Sequence, residues 1–201
     1  MLQLKNLTVI SGHKTVCENL SLEIDKGTTL IIHGSNGSGK TTLIECLIGH
    51  REPNSGQVLL DQHDLHHLGR QEKKLFREST GIALQQSLLR PLDSIKKTLS
   101  LLHKDKDKID GMLEFLGFHQ QNILVKNLSW GEIRRLDLVR SLANDPSLLI
   151  WDEPFLGLDD HYREKFQSLL LKLKHLGSTI IVATKKHKHF EFLNPEKILE
   201  L

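Results

Sequence analysis

One run of nine residues constrains this chain more than any other: Gly34-Ser35-Asn36-Gly37-Ser38-Gly39-Lys40-Thr41-Thr42. Upstream of it, residues 28–33 (Thr-Thr-Leu-Ile-Ile-His) are short and nearly continuously apolar, as in a strand buried on both faces. Downstream, Leu43, Ile44, Leu47 and Ile48 fall on one face of a helix that Gly49 can end. The run fits G-x-x-x-x-G-K-[ST], the Walker A pattern, in the strand–loop–helix context that the pattern requires. A phosphate chain carries several negative charges and has to be met at close range by main-chain N–H groups. Gly37 and Gly39 allow that approach, and the helix N-terminus adds its positive dipole end. Lys40 is then placed to bridge the outer phosphates and the Thr41 hydroxyl to ligate Mg²⁺. Gly34, Ser35, Asn36, Ser38 and Thr42 complete the candidate cradle for a nucleotide.

Such a loop needs an acidic partner for the metal. Leu148-Leu149-Ile150-Trp151 reads as a second core strand, and it carries Asp152 to its C-terminal end, where ligands sit in open α/β sheets. Asp152 is expected to fix the hydrated Mg²⁺, and Glu153 to polarise an attacking water.

The remaining chain alternates strand and helix patterns. Leu2 to Val9 and Val16 to Ile24 read as two strands joined by a turn at 11–14. Gln57–Leu60 and Gly81–Leu84 are further strands, with a polar helix over 70–78 between them. Residues 92–118 are helical in two pieces, with the charged stretch 104–108 on the exposed side or in the join. Helices follow over 131–143 and from Tyr162 to Leu173, then a strand at Thr179–Ala183 and an edge strand at 197–201. The fold class expected is α/β: a P-loop NTPase core with a parallel sheet, an N-terminal antiparallel β subdomain and a small helical subdomain. A length of 201 residues suits one domain.

Between the two Walker elements stands Leu128-Ser129-Trp130-Gly131-Glu132-Ile133-Arg134-Arg135, and after Glu153 come Pro154-Phe155-Leu156-Gly157-Leu158-Asp159. The first resembles the LSGGQ signature of the ATP-binding-cassette (ABC) ATPases, and the second resembles their D-loop. Gln85, at the end of a short strand, matches their Q-loop glutamine. The resemblance covers nearly the whole chain. It implies a single ABC ATPase domain over 1–201, with a helical signature subdomain at about 86–143 inserted between the Q-loop and Walker B. It also implies ATP and Mg²⁺ as ligands. Two cassettes, a homodimer being the simplest case, would close head to tail around two ATP molecules. Ser129, Gly131 and Glu132 would then meet the nucleotide held by the partner, Gln85 would touch Mg²⁺ and the lytic water, Glu153 would act as base, and Asp159 would lie at the seam.

The match is incomplete at three places. Trp130 stands where the family has its first signature glycine, and Glu132 where it has glutamine. No aromatic lies near Ser11, where the family stacks one on adenine; His13 is either a substitute or a turn residue. The family's switch histidine corresponds to Lys185, a cation that either meets the γ-phosphate or faces solvent. His187, two residues later, is expected to face solvent.

Two classes of function fit these residues. In one the chain is the motor of a membrane transporter, lying at the cytoplasmic face of a membrane through a separate transmembrane permease. Its apolar runs fall far short of the ~20 residues of a membrane span. In the other it is a soluble ATPase acting on nucleic acid or ribosomes, or a regulatory cassette with little turnover. A formal net charge of +2 offers no basic surface for direct nucleic-acid binding. The stretch from Gln85 to Leu128, about 40 residues at ~1.5 Å each even if wholly helical, is too short for a long coiled-coil arm. Cys17 and Cys46 have no metal spacing and fit reduced thiols in a cytoplasmic protein. His63, His66 and His67 read as loop histidines rather than a metal site.

Overall fold

The computed structural model describes residues 1–101, 105–118 and 120–201, with only the backbone at Lys106. The strands among them are β1 (Leu2–Ser11), β2 (Lys14–Ile24), β3 (Thr29–His33), β4 (Ser55–Leu60), β5 (His63–Asp64), β6 (Thr80–Ala83), β7 (Leu148–Asp152), β8 (Thr179–Thr184) and β9 (Lys197–Glu200). The helices are α1 (Lys40–Leu47), α2 (Arg70–Ser79), α3 (Ile95–Ser100), α4 (Lys106–Leu116), α5 (Trp130–Ser141) and α6 (Asp160–His175). Lys104, part of the charged stretch expected near the helical join, lies outside the described residues.

Two sheets divide the strands. β2-β1-β4-β5 form an antiparallel sheet, and β6-β7-β8-β3-β9 form a parallel one with β9 at its edge beside β3. Side chains alternate between the two faces of the parallel sheet, as period two requires. Ile31, Leu149, Trp151, Ile180 and Val182 enter a core shared with α4, α5 and α6. Leu30, Ile32, Leu148, Ile150, Ile181 and Ala183 face α1 and the antiparallel sheet. Asp152 continues the second series, Leu148–Ile150–Asp152. The period of the strand therefore aims its carboxylate at α1.

The helices begin and end on local chemistry. Asp105 caps α4 through Asp107 N and Lys108 N, and Asp159 caps α6 through Tyr162 N. No helix among the described residues is long and apolar enough to cross a membrane.

Candidate nucleotide site

Where β3 meets α1, residues 34–39 form a loop that Lys40 closes from inside. Lys40 is buried, and its ammonium donates to the carbonyls of Gly34 (2.8 Å) and Ser35 (2.9 Å). A buried ammonium has to be paired in this way. Gly39 precedes the helix at φ 113°, and a Cβ there would come within 2.4–2.5 Å of the Val16 methyls. Only glycine meets both demands. Lys14 donates to the Gly37 carbonyl at 2.8 Å and so ties the loop tip to the start of β2.

The loop lines a cleft of about 680 Å³ whose wall also includes Thr41, Thr42, Gln85, Asp152, Glu153 and Lys185. Thr41 Oγ1 donates to Asp152 Oδ2 at 2.5 Å. Asp152 is fully buried, and its other oxygen, Oδ1, has no hydrogen-bond partner in the protein. Burial pushes its carboxyl above the usual range, and the neighbouring Glu153 adds to the shift. The Thr41 bond, Arg134 and Lys40 oppose it. An orphaned carboxylate oxygen beside a threonine hydroxyl in a cleft fits a hard divalent cation. The loop amides and Lys40 fit a phosphate chain.

Glu153 occupies left-handed backbone, φ 44°, unusual for a residue with a side chain. The end of β8 holds it there. Its amide donates to the Ala183 carbonyl (2.8 Å), Oε1 accepts from the Lys185 amide (2.8 Å), and Oε2 accepts from Thr184 Oγ1 (3.2 Å). Lys40 Nζ lies 3.8 Å from Oε1. The carboxylate is thus fixed at the cleft wall beside the phosphate loop.

The candidate signature residues stand elsewhere. Ser129, Gly131, Glu132 and Asp159 are not among the residues lining this cleft. Ser129 and Glu132 form a capping box at the start of α5: Glu132 Oε2 accepts from Ser129 N (2.8 Å) and Oγ (2.6 Å), and Ser129 Oγ accepts from Glu132 N (3.3 Å). These bonds hold the Glu132 carboxyl below its ordinary value. Glu132 thus serves as a capping residue at the start of α5.

His187 does not face solvent as expected. It is half-buried, and its ring lies edge-on against His33 with centroids 4.5 Å apart. A 3₁₀ turn, His187–Leu193, folds back so that Phe190 and Leu193 enter the core, which draws His187 inward. His13 is exposed and absent from the cleft wall, where Ser11, Lys14 and Val16 stand instead.

One buried residue joins these parts, and nothing in its local sequence marks it. Arg134, 3% exposed, donates to the carbonyls of Leu84 (2.5 Å), Asp152 (2.5 Å) and Pro154 (3.1 Å). It pins the strand end before Gln85 and both flanks of Glu153 to α5. Its amphipathic position reads only as part of a basic helix.

Comparison with known proteins bears on the family and the fold. A family model described as "ABC transporter" matches residues 17–156. The methionine import ATP-binding protein of Histophilus somni is 32% identical over 198 residues, covering 92% of this chain and 57% of that protein. The taurine import ATP-binding protein of Roseobacter denitrificans is 35% identical over 182 residues, covering 86% and 65%. The chain therefore spans roughly 57–65% of the length of these curated relatives. A solved dimeric bacterial ABC transporter cassette superposes with a TM-score of 0.86 at 28% identity, over all of this chain and 94% of that one. The chain belongs to the ABC transporter family and has the fold of its ATP-binding cassette.

Proposed function

We propose that the chain binds Mg-ATP in the 34–42 cleft and hydrolyses it as the motor cassette of a membrane transporter. The observation that carries this reading is the convergence on one cleft of the Lys40 loop, the Thr41–Asp152 bond and the Glu153 carboxylate held by β8. Thr41, Asp152 and Gln85 would hold Mg²⁺, which when bound neutralises charge on phosphate oxygens. Lys40 and the loop amides of residues 34–42 would hold the phosphates. Glu153 would accept the proton of an attacking water, and Lys185 would offer its ammonium to phosphate charge at the cleft wall. Ser129, Gly131 and Glu132 lie outside the cleft of their own chain, which supports a composite site in which they meet the nucleotide of a second cassette. Asp159 would then lie at the seam.

The chain acts as one domain over 1–201, and the segment at about 86–143 supplies the helical part. The import and export proteins it is similar to support a separate transmembrane permease as partner and a place at the cytoplasmic face of a membrane. The test is nucleotide affinity in the wild type and in Lys40→Ala. Loss of ATP binding, with the far-UV spectrum retained, is expected. Unchanged affinity would remove the phosphate-site assignment.

A further inference from the structure

The first turn of α5 carries Trp130, the bulky replacement for a signature glycine, and its ring packs on the segment that follows Glu153. A Cβ built on Gly157 would fall 1.9 and 2.1 Å from Trp130 Cζ3 and Cε3. Gly157 has φ +76°, so this position is closed to other residues by backbone and by ring together. Gly131, next in sequence, is also close: a Cβ there would stand 3.0 Å from the Gly157 carbonyl oxygen. One turn further on, Arg134 holds the Pro154 carbonyl. The start of α5 therefore grips residues 154–157 at both ends.

That segment has little other freedom. Phe155 and Leu158 are buried in the core at 8% and 7% exposure, whereas Leu156 is 36% exposed. Glu153 immediately before it sits in strained backbone at φ 44°. Three residues separate Gly157 from Glu153 along this segment. Trp130 itself remains 50% exposed, so its second face is open at the edge of the signature segment.

We propose that Trp130 is a positioning residue that locks the signature segment to residues 154–159 of its own chain. Through it, engagement of a second cassette's nucleotide at Ser129 and Gly131 is transmitted to Glu153, which serves the nucleotide on the first. The inference rests on the function proposed above. It assigns to the non-consensus tryptophan a coupling between two sites that a glycine, with no side chain to cover Gly157, could not make by packing.

The test uses the full chain at dimer-forming concentration. Trp130→Ala is expected to lower kcat by up to about a hundredfold, the scale of a 1 Å misplacement, and to bring the Hill coefficient for ATP toward one. ATP affinity should stay within twofold of wild type, and Trp130→Phe should restore most of the turnover. Stability tests the contact itself. Gly157→Ala should lower Tm in the wild type and lower it less in a Trp130→Ala background, where the ring it would strike is gone.

An active wild type whose kcat and Hill coefficient are unchanged by Trp130→Ala overturns this inference alone. Equal Tm losses for Gly157→Ala in both backgrounds overturn the packing contact. A wild type that binds no ATP overturns the proposed function and this inference with it.

Discussion

The Lys185 amide donates to Oε1 of Glu153 at 2.8 Å, so Lys185 orients the candidate base through its main chain. Its side chain is exposed and shares the cleft wall with the phosphate loop. Substitution there leaves the amide bond in place and isolates what the ammonium does. Lys185→Ala should lower ATP turnover by about a hundredfold, the scale of losing one electrostatic contact to developing charge, with ATP affinity little changed. Lys185→His should hold turnover at or above the wild-type rate, because imidazole can also donate to phosphate. Steady-state ATPase assays of the three proteins decide this. Equal rates would remove Lys185 from the catalytic set.

Arg134 makes a prediction about stability. Arg134→Met keeps much of the apolar stem but leaves the Leu84, Asp152 and Pro154 carbonyls without their donor. It also strips a cation from buried Asp137, whose carboxyl burial already raises and whose Oδ2 has no hydrogen-bond partner. A loss of about 3 kcal/mol is expected from breaking charged, buried hydrogen bonds. Urea unfolding measures it. A loss below about 1 kcal/mol, within the range of ordinary surface changes, would contradict the role given to this residue.

Glu132 predicts a pH dependence. Its folded pKa lies below the ordinary 4.5 because the capping box with Ser129 favours the carboxylate. A depressed carboxyl pKa stabilises the fold above the unfolded value, and that contribution is lost as pH falls through the folded value. Glu132→Gln removes the titration and keeps a hydrogen-bonding side chain. The Tm advantage of wild type over Glu132→Gln should therefore be present at pH 7 and shrink as pH falls below about 4.5. An advantage that grows on acidification would give the opposite sign and refute the assignment.

Local chemistry was legible in the sequence, and spatial convergence was not. The strand–loop–helix around Lys40 could be read because each requirement, apolar strand, glycines, lysine and amphipathic helix, falls within a few consecutive residues. The apolar run Leu148–Trp151 likewise carries Asp152 to the C-terminal end of β7, where Thr41 meets it. The order β6-β7-β8-β3-β9 is different: it brings β3 between β8 and β9, pairings that cross more than 140 residues and leave no local signal. The structural roles of Arg134 and Trp130 leave no local signal for the same reason. Their partners lie 18 to 50 residues away for Arg134 and across a strand and turn for Trp130. For His187 the sequence suggests solvent, whereas Phe190 and Leu193 pull its turn into the core.

In the proposed cycle two copies of this chain close on ATP, and Glu153 then serves hydrolysis. Glu153→Gln removes the base while keeping the side-chain shape, and it leaves the Lys40 loop and the Thr41–Asp152 pair unchanged. The direct measurement is the solution mass of this variant by light scattering, with and without Mg-ATP. A mass of 22.9 kDa is expected without nucleotide and a doubling with it, with the Lys40→Ala/Glu153→Gln double variant monomeric in both conditions. A Glu153→Gln chain that binds ATP and stays at 22.9 kDa at high protein concentration would contradict it.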